Sequence, residues 1–409
     1  MSEEKVLEIC SFCGQHKDKR RKLIVSGDVA ICDHCTNLCH DLVVKDVKPD
    51  SDLEEEKQSF NETLKNVDAL AIYEHLNQHV IGQDNAKITL SVAIANHYKR
   101  IAYPSKDIDV QKGNVLLMGP TGSGKTLLAK TAASLLKVPF VVADATSLTE
   151  AGYVGDDVES MIGMLLQEAN GDIELAEKGI VFIDEIDKIA RRGESTSTST
   201  PRDVSGEGVQ QALLKLVEGT KCRVPMNGAR KHPDGRVDVV NTKNILFIAG
   251  GAFVGLNNII KNRIKGTSIG FNAEVKAVSE EFFLDKVSPD DLTRFGLIPE
   301  FVGRFATNVS VEDLTKDQLV DVMTKVKNNF IDQYTYIFSI DNIKLKFQKS
   351  AIEQIAENTI KLKTGARGIQ SEIERVLMPH MFQVSQYKKK KINEININQE
   401  LVNNPRNLL

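Results

Sequence analysis

The segment GPTGSGKT, Gly119 to Thr126, contains the residue types needed to grip a polyphosphate, and it follows directly on the apolar run NVLLM. Its glycines let successive backbone N–H groups curl around phosphate oxygens, and the N-terminus of the helix it opens adds partial positive charge. Lys125 then reaches the β and γ phosphates, and Thr126 offers a hydroxyl to Mg2+. Fifty-nine residues after Lys125, the run IVFIDEIDK ends a buried strand with two carboxylates, Asp184 and Glu185. Asp184 suits the Mg2+ shell, and Glu185 suits a water that must be oriented or deprotonated. A kinase attacks with a substrate hydroxyl instead, so the pair predicts hydrolysis of the β–γ bond of ATP. Two acids merely capping a strand are the competing reading, which the upstream phosphate loop disfavours.

A second chemistry stands at the start of the chain. Cys10, Cys13, Cys32 and Cys35 form two Cys-x2-Cys knuckles separated by eighteen residues. Four thiolates suit tetrahedral Zn2+ and leave no open position for water, so the site is predicted to be structural. A module this short buries little core, and metal binding supplies its folding energy. His16, His34, Cys39 and His40 are spare donors, with His34 poorly placed between ligands, and the distant Cys222 reads as a small apolar residue. The basic run HKDKRRK has almost no aromatic neighbours on which bases could stack. A solvated face or a protein-docking module fits it better than a nucleic-acid contact.

The 409 residues are 41% hydrophobic and 26% charged with a net charge of -4, which suits a globular chain of two or three domains without a general pull toward nucleic acid or anionic lipid. No signal region and no apolar run long enough to span a bilayer is evident, and the clustered thiols suit a reducing compartment, so the cytoplasm is expected.

The elements that must position these groups alternate. NVLLMG, PFVVADA, GIVFIDEID and NILFIAG read as strands of a sheet covered on both faces. DDVESMIGMLLQEA carries Val158, Met161, Ile162, Leu165 and Leu166 on one helical stripe, and SGEGVQQALLKLVEG reads as a helix with Ser205 as a possible cap and Gly219 as its stop. In the N-terminal module KLIVSGDVAIC reads as a hairpin around Ser26 and Gly27, and KDVKPDSDLEEEKQ as a linker. Beyond about residue 312, DLTKDQLVDVMTKVKNNFIDQY, KSAIEQIAENTIKLK and RGIQSEIERVLMPHMFQVSQY read as helices, with SIDNIKLKF and KINEINI as short strands and the last residues as a loose polar tail.

Together these segments resemble the AAA+ ATPases and, within them, the unfoldase subunits of the bacterial Clp proteases, over essentially the whole chain. The resemblance implies an α/β fold: an AAA+ P-loop ATPase large domain at 64–311, a small mostly helical α+β domain at 312–400 and an N-terminal four-cysteine zinc-binding domain at 1–46. A flexible linker at 47–63 and a loose tail at 401–409 complete the expected layout. It implies an ATP-dependent unfoldase and translocase that delivers substrates with exposed degradation tags to a separate ClpP-type peptidase. A homo-hexamer, adaptor proteins bound through the zinc domain, and no membrane partner follow from the same likeness.

Residue by residue, the family's pattern makes Val80 and Ile81 adenine contacts and places Pro120, Thr121, Gly122, Ser123, Gly124 and Leu127 with Lys125 and Thr126 around the phosphates. Arg304, ending GLIPEFVGR, matches the arginine that reaches the neighbouring subunit's γ phosphate, and Arg367 in TGARGIQ matches the second sensor arginine. On chemistry alone either arginine is equally a surface salt-bridge partner. The first sensor position, at the end of NTKNILFIAGGAF, offers no clear polar residue and stays unassigned.

Tyr153 and Val154, in GYVG, read as minor packing residues in isolation. In the family this loop faces an axial channel, where flexible glycines and an aromatic ring give apolar grip on any peptide. The low-complexity segment 191–206 matches a second pore loop, Arg230, Lys231 and His232 a charged channel entrance, and Ile269, Gly270 and Phe271 the peptidase docking loop. A solvated charge run is the alternative for the basic triplet. No HExxH motif and no defensible Ser-His-Asp arrangement is present, so peptide cleavage falls to the partner. Two other classes fit the ATPase motifs: an AAA+ motor acting on nucleic acid or protein–nucleic acid complexes, and a scaffold that binds ATP only as a switch. Glu185 argues against the scaffold.

Overall fold

The structure, a computed structural model, describes residues 9–16, 22–26, 28–46, 60, 62–149, 156–191, 206–225, 237–266 and 284–405. It divides into two compact units, Met1–Thr63 and Leu64–Leu409.

In the first unit, Leu23–Ser26 pairs antiparallel with Val29–Cys32, as the alternating sequence predicts, and the helix Asp33–Asp46 follows at once. Its core is Cys10, Cys32 and Cys35 with Leu23 and Ile31 packed against them. So small an apolar cluster cannot hold a fold by itself.

The second unit is built on a five-stranded parallel sheet in the order Thr307–Ser310, Val115–Met118, Leu246–Gly251, Ile180–Asp184, Phe140–Asp144. Val115–Met118 and Leu246–Gly251 are buried along their whole length, which is why they read as unbroken apolar runs. Parallel register brings the ends of three strands together: Gly251 pairs with Met118, just before the phosphate loop, and Ala249 with Ile183, just before Asp184. Ligands of open parallel sheets bind at such carboxyl ends.

The stripe Val158, Met161, Ile162, Leu165 and Leu166 is buried against this sheet. The helix Glu207–Glu218 stops at Gly219, whose φ of 112° ends the helical path, while Ser205 lies outside the described residues. The strand Thr307–Ser310 escapes the sequence reading because it is an edge strand with only Val309 buried.

The remainder, from Lys316, has its own core around Leu319, Phe338, Ile355, Ile373 and Ile395. Four sequence expectations need correction here. The long helical run at 313–334 splits into Lys316–Thr324 and Phe330–Ile340, because Asn329 caps the second helix through Asp332 N–H while its amide donates back to the Thr324 and Val326 carbonyls. Ser339 and Ile340 therefore finish a helix, and the strand is only Lys344–Phe347, parallel to Glu394–Ile397. The run from Arg367 likewise divides at Gln383 into Arg367–Phe382 and Val384–Lys389. Finally, the segment expected to be loose from 401 begins inside a capped helix, Gln399–Asn403, whose Leu401 and Val402 are buried in the same core. Among the described residues no helix is long and apolar enough to cross a membrane.

Candidate nucleotide-binding site

A cleft of about 470 Å3 opens at the carboxyl ends of the sheet. One wall is the phosphate loop, with Thr121, Gly122, Gly124, Lys125, Thr126 and Leu127. Lys125 is nearly buried and donates to the carbonyls of Gly119 at 2.8 Å and Pro120 at 2.9 Å. Burial lowers its pKa below the usual lysine value, while Asp184 and Asp187 nearby favour the charged form. The ammonium is thus held by main-chain carbonyls at the mouth of the loop, where an incoming polyphosphate would restore the charge balance. Pro120 and Ser123 brace the loop from within, Ser123 Oγ donating to the Pro120 carbonyl at 2.7 Å.

The second wall carries Asp184 and Glu185. Thr126 Oγ1 donates to Asp184 Oδ2 at 3.3 Å, so a hydroxyl and a carboxylate converge across the cleft. Oxygen donors of this kind suit a hard dication such as Mg2+. Glu185 sits at φ 56°, a left-handed conformation that a non-glycine residue adopts at a cost, and its N–H donates to Asp184 Oδ1 at 2.9 Å. That turn ends the strand abruptly and leaves Glu185 exposed at the cleft.

The sequence reading missed several members of the wall. Asp187 is buried, accepts from Ala252 N–H at 3.1 Å and pairs with Lys188 at 3.5 Å. The strand that passes it needs glycine, since a Cβ on Gly251 would lie 2.7 Å from Asp187 Oδ1. At the unassigned first sensor position the structure thus presents Gly251 and Ala252 to the cleft, without a polar side chain from either. Phe330, Ala366, Arg367 and Gln370 close the cleft from the helical part. The third carboxylate in IDEID was a visible signal for Asp187; Phe330 and Gln370 had none, because only the fold brings them there.

Arg367 lines the cleft, close enough to Lys125 to disfavour its charge. Val80 and Ile81 are not brought to the cleft wall; Val80 is buried and Ile81 half-buried where the helix Ala69–His79 ends. Two residues on, Gln83 bonds both the N–H and the carbonyl of Glu312, at the joint between sheet and helical part. Arg304 is also away from the cleft of its own chain and pairs with Glu218, Nε to Oε1 at 2.8 Å. Tyr153, Val154, Arg230, Lys231, His232, Ile269, Gly270 and Phe271 lie outside the described residues.

In the first unit the sulfurs of Cys10, Cys13, Cys32 and Cys35 all lie within 4.8 Å of one another, and Cys13 and Cys32 are 3.8 Å apart. That matches the edge of roughly 3.8 Å in a tetrahedron with Zn–S bonds of about 2.3 Å. Burial acts to raise the Cys10 thiol, but N–H donors from Cys13, Cys32 and Phe12 outweigh it and bring it down to about 6. Burial and the neighbouring thiols push Cys35 up to about 12, so this thiol needs a cation beside it to become a thiolate. His16, His34 and Cys39 stand outside the cluster, and the side chain of His40 lies outside the described residues.

The comparisons agree with both sites. Residues 8–45 match the ClpX C4-type zinc finger, 110–308 the AAA domain (Cdc48 subfamily) and 314–397 the C-terminal, D2-small domain of ClpB protein. The chain is 48% identical over 404 residues to the ATP-dependent Clp protease ATP-binding subunit ClpX of Treponema denticola, covering 97% of this chain and 94% of that one. It is 47% identical over 389 residues to the protein of the same description from Borrelia duttonii, covering 94% and 88%. ATP, Mg2+ and Zn2+ are the cofactors that this family and these two donor sets share. An AAA ATPase domain, a four-cysteine zinc finger and near full-length identity coincide in one polypeptide, which therefore belongs to the ClpX family of ATP-binding subunits of the ATP-dependent Clp protease.

Proposed function

We propose that this chain is an ATP-driven protein unfoldase and translocase that works in the cytoplasm as a homo-hexamer and feeds tagged substrates to a separate ClpP-type peptidase. The observation that carries the reading is the composition of the cleft wall, where sheet and helical part meet on one ligand. Ala366 N–H donates to the Gly122 carbonyl at 3.0 Å, so the phosphate loop is bonded directly to the helical part. A nucleotide there touches both bodies, and its hydrolysis changes the angle between them. In this reading residues 64–311 act as the large domain and 312–400 as the small one, with 1–46 as a zinc domain for substrates and adaptors and 47–63 as its tether.

Lys125 neutralises phosphate charge, and the loop's N–H groups hold the phosphate oxygens. Thr126 and Asp184 hold Mg2+, which when bound spreads the charge developing on the phosphoryl oxygens. Glu185 accepts a hydrogen bond from the attacking water and takes its proton. Arg367 reads the nucleotide from the helical side. Arg304, paired with Glu218 and away from its own cleft, serves the site of the next subunit in the ring. By the family's pattern Val80 and Ile81 contact the base, beyond the cleft wall formed by the phosphate loop and the helical part; Tyr153 and Val154 grip the polypeptide, Arg230, Lys231 and His232 attract its end, and Ile269, Gly270 and Phe271 dock the peptidase.

The test is the fluorescence of a stably folded reporter bearing an apolar C-terminal tag, followed with a trap for its unfolded state. ATP should drive fluorescence loss and ADP should not. Equal signals with the two nucleotides would remove the unfoldase reading while leaving the ATPase site standing.

A further inference from the structure

Gln210 lies on the helix Glu207–Glu218 with none of its surface exposed, and both ends of its carboxamide are used. Its Nε2 donates to the Ile189 carbonyl at 2.8 Å and reaches the Gly296 carbonyl at 3.3 Å, while its Oε1 accepts from Ile298 N–H at 2.7 Å. Burying a carboxamide costs free energy unless every polar atom is paired. An apolar side chain would fill the same space, so the value of this one lies in what it joins.

It joins two segments that matter to hydrolysis. Ile189 ends the 3-10 turn Ile186–Ile189 that begins directly after Glu185. Gly296 to Ile298 runs straight into the short helix Pro299–Val302 and then Arg304. The same seam is closed a second time by Arg191 N–H, which donates to the Gly296 carbonyl at 2.9 Å, and a Cβ on Gly296 would collide with the Arg191 main chain. At its other end the helix carries Glu218, the partner of Arg304. Val209, Leu213, Leu216 and Val217 bury its inner face, so it behaves as a rigid strut.

We propose that Gln210 is a positioning residue for the reaction of the neighbouring subunit: it anchors the segment bearing Arg304 to the chain directly behind Glu185. The position in which one subunit offers its arginine is thereby tied to its own hydrolytic carboxylate. The inference rests on the proposed action of Arg304 across subunits.

The experiment mixes two inactive full-length proteins. Glu185→Gln subunits keep Arg304 but cannot hydrolyse, and Arg304→Ala subunits keep Glu185 but offer no arginine; mixed rings should recover ATPase activity at the sites of the second. Adding Gln210→Leu to the Glu185→Gln donor should lower the kcat of the recovered activity by about tenfold or more with little change in KM for ATP, since small misplacements of a catalytic group are costly. Gln210→Glu, which keeps the acceptor for Ile298 N–H, should fall between. Adding Gln210→Leu to the Arg304→Ala subunit instead should cost less than about threefold, because that subunit offers no arginine to misplace. Thermal melts and ring assembly by sedimentation confirm that each variant folds and associates. Unchanged recovery with the altered donor, or equal losses on donor and recipient, would overturn the inference. No recovery in the parent mixture would remove the cross-subunit reading itself, and the inference with it.

Discussion

The N–H of Ala366 donates to the carbonyl of Gly122 at 3.0 Å, so the phosphate loop and the helical part share a main-chain bond across the nucleotide cleft. Gly122 adopts φ +81°, and a Cβ on it would strike the Thr364 carbonyl. Gly122→Ala should therefore push the two bodies apart, at a cost of about 1–2 kcal/mol from the backbone conformation alone. Titration with a fluorescent ATP analogue should show affinity weakened by about tenfold or more. Unaltered affinity would mean that this contact does not shape the site.

Lys125 and Glu185 should fail in different ways. Lys125→Ala removes the buried cation beside the phosphate loop, so nucleotide binding itself should be lost. Glu185→Gln leaves the loop intact and should retain binding while lowering kcat by about 100-fold or more. Paired binding and turnover assays separate the two, and steady-state turnover preserved in Glu185→Gln would refute the role given to that carboxylate.

Zinc removal should act on one unit only. The first unit packs little beyond its own cysteines, and structural zinc is worth about 10–16 kcal/mol in comparable modules. A strong chelator, or Cys32→Ser, should expose 1–46 to limited proteolysis while ATP binding by the second unit changes less than about twofold. Protection of 1–46 after verified zinc loss would contradict a metal-dependent fold.

A pH signature is expected from Asp291. Burial acts to raise its pKa, but Arg263 at 2.9 Å and the N–H and hydroxyl of Ser288 outweigh this and hold it below the ordinary value. A depressed folded pKa means that the carboxylate stabilises the fold above the unfolded value and that this stability is lost as pH falls through the folded one. Arg263→Ala should lower stability at pH 7 by removing the cation paired with a buried carboxylate. The deficit in denaturant midpoint should shrink toward pH 3, and a deficit independent of pH would argue against the ion pair as its source.

The parts of the fold legible in the sequence are those where one force dominates. Val115–Met118 and Ile180–Asp184 are buried on both faces, so burial alone writes their apolar runs, and the phosphate loop is dictated by its ligand. Thr307–Ser310 was not legible because an edge strand needs few apolar residues. The break at Asn329 was hidden because apolar spacing continues through it while side-chain capping decides the matter. In the site, Lys125, Asp184 and Glu185 announce themselves by type and order. Phe330 and Gln370 do not, since their place on the cleft wall depends on how the helical part meets the phosphate loop.

The most direct test of the central claim compares Tyr153→Ala with the unaltered protein, measuring ATP turnover and unfolding of the tagged reporter in the same sample. The account predicts that turnover persists while unfolding is abolished, because hydrolysis at the cleft would no longer be coupled to grip on the polypeptide. Unfolding at the parental rate would contradict it, and would place the coupling of ATP to substrate outside the GYVG loop.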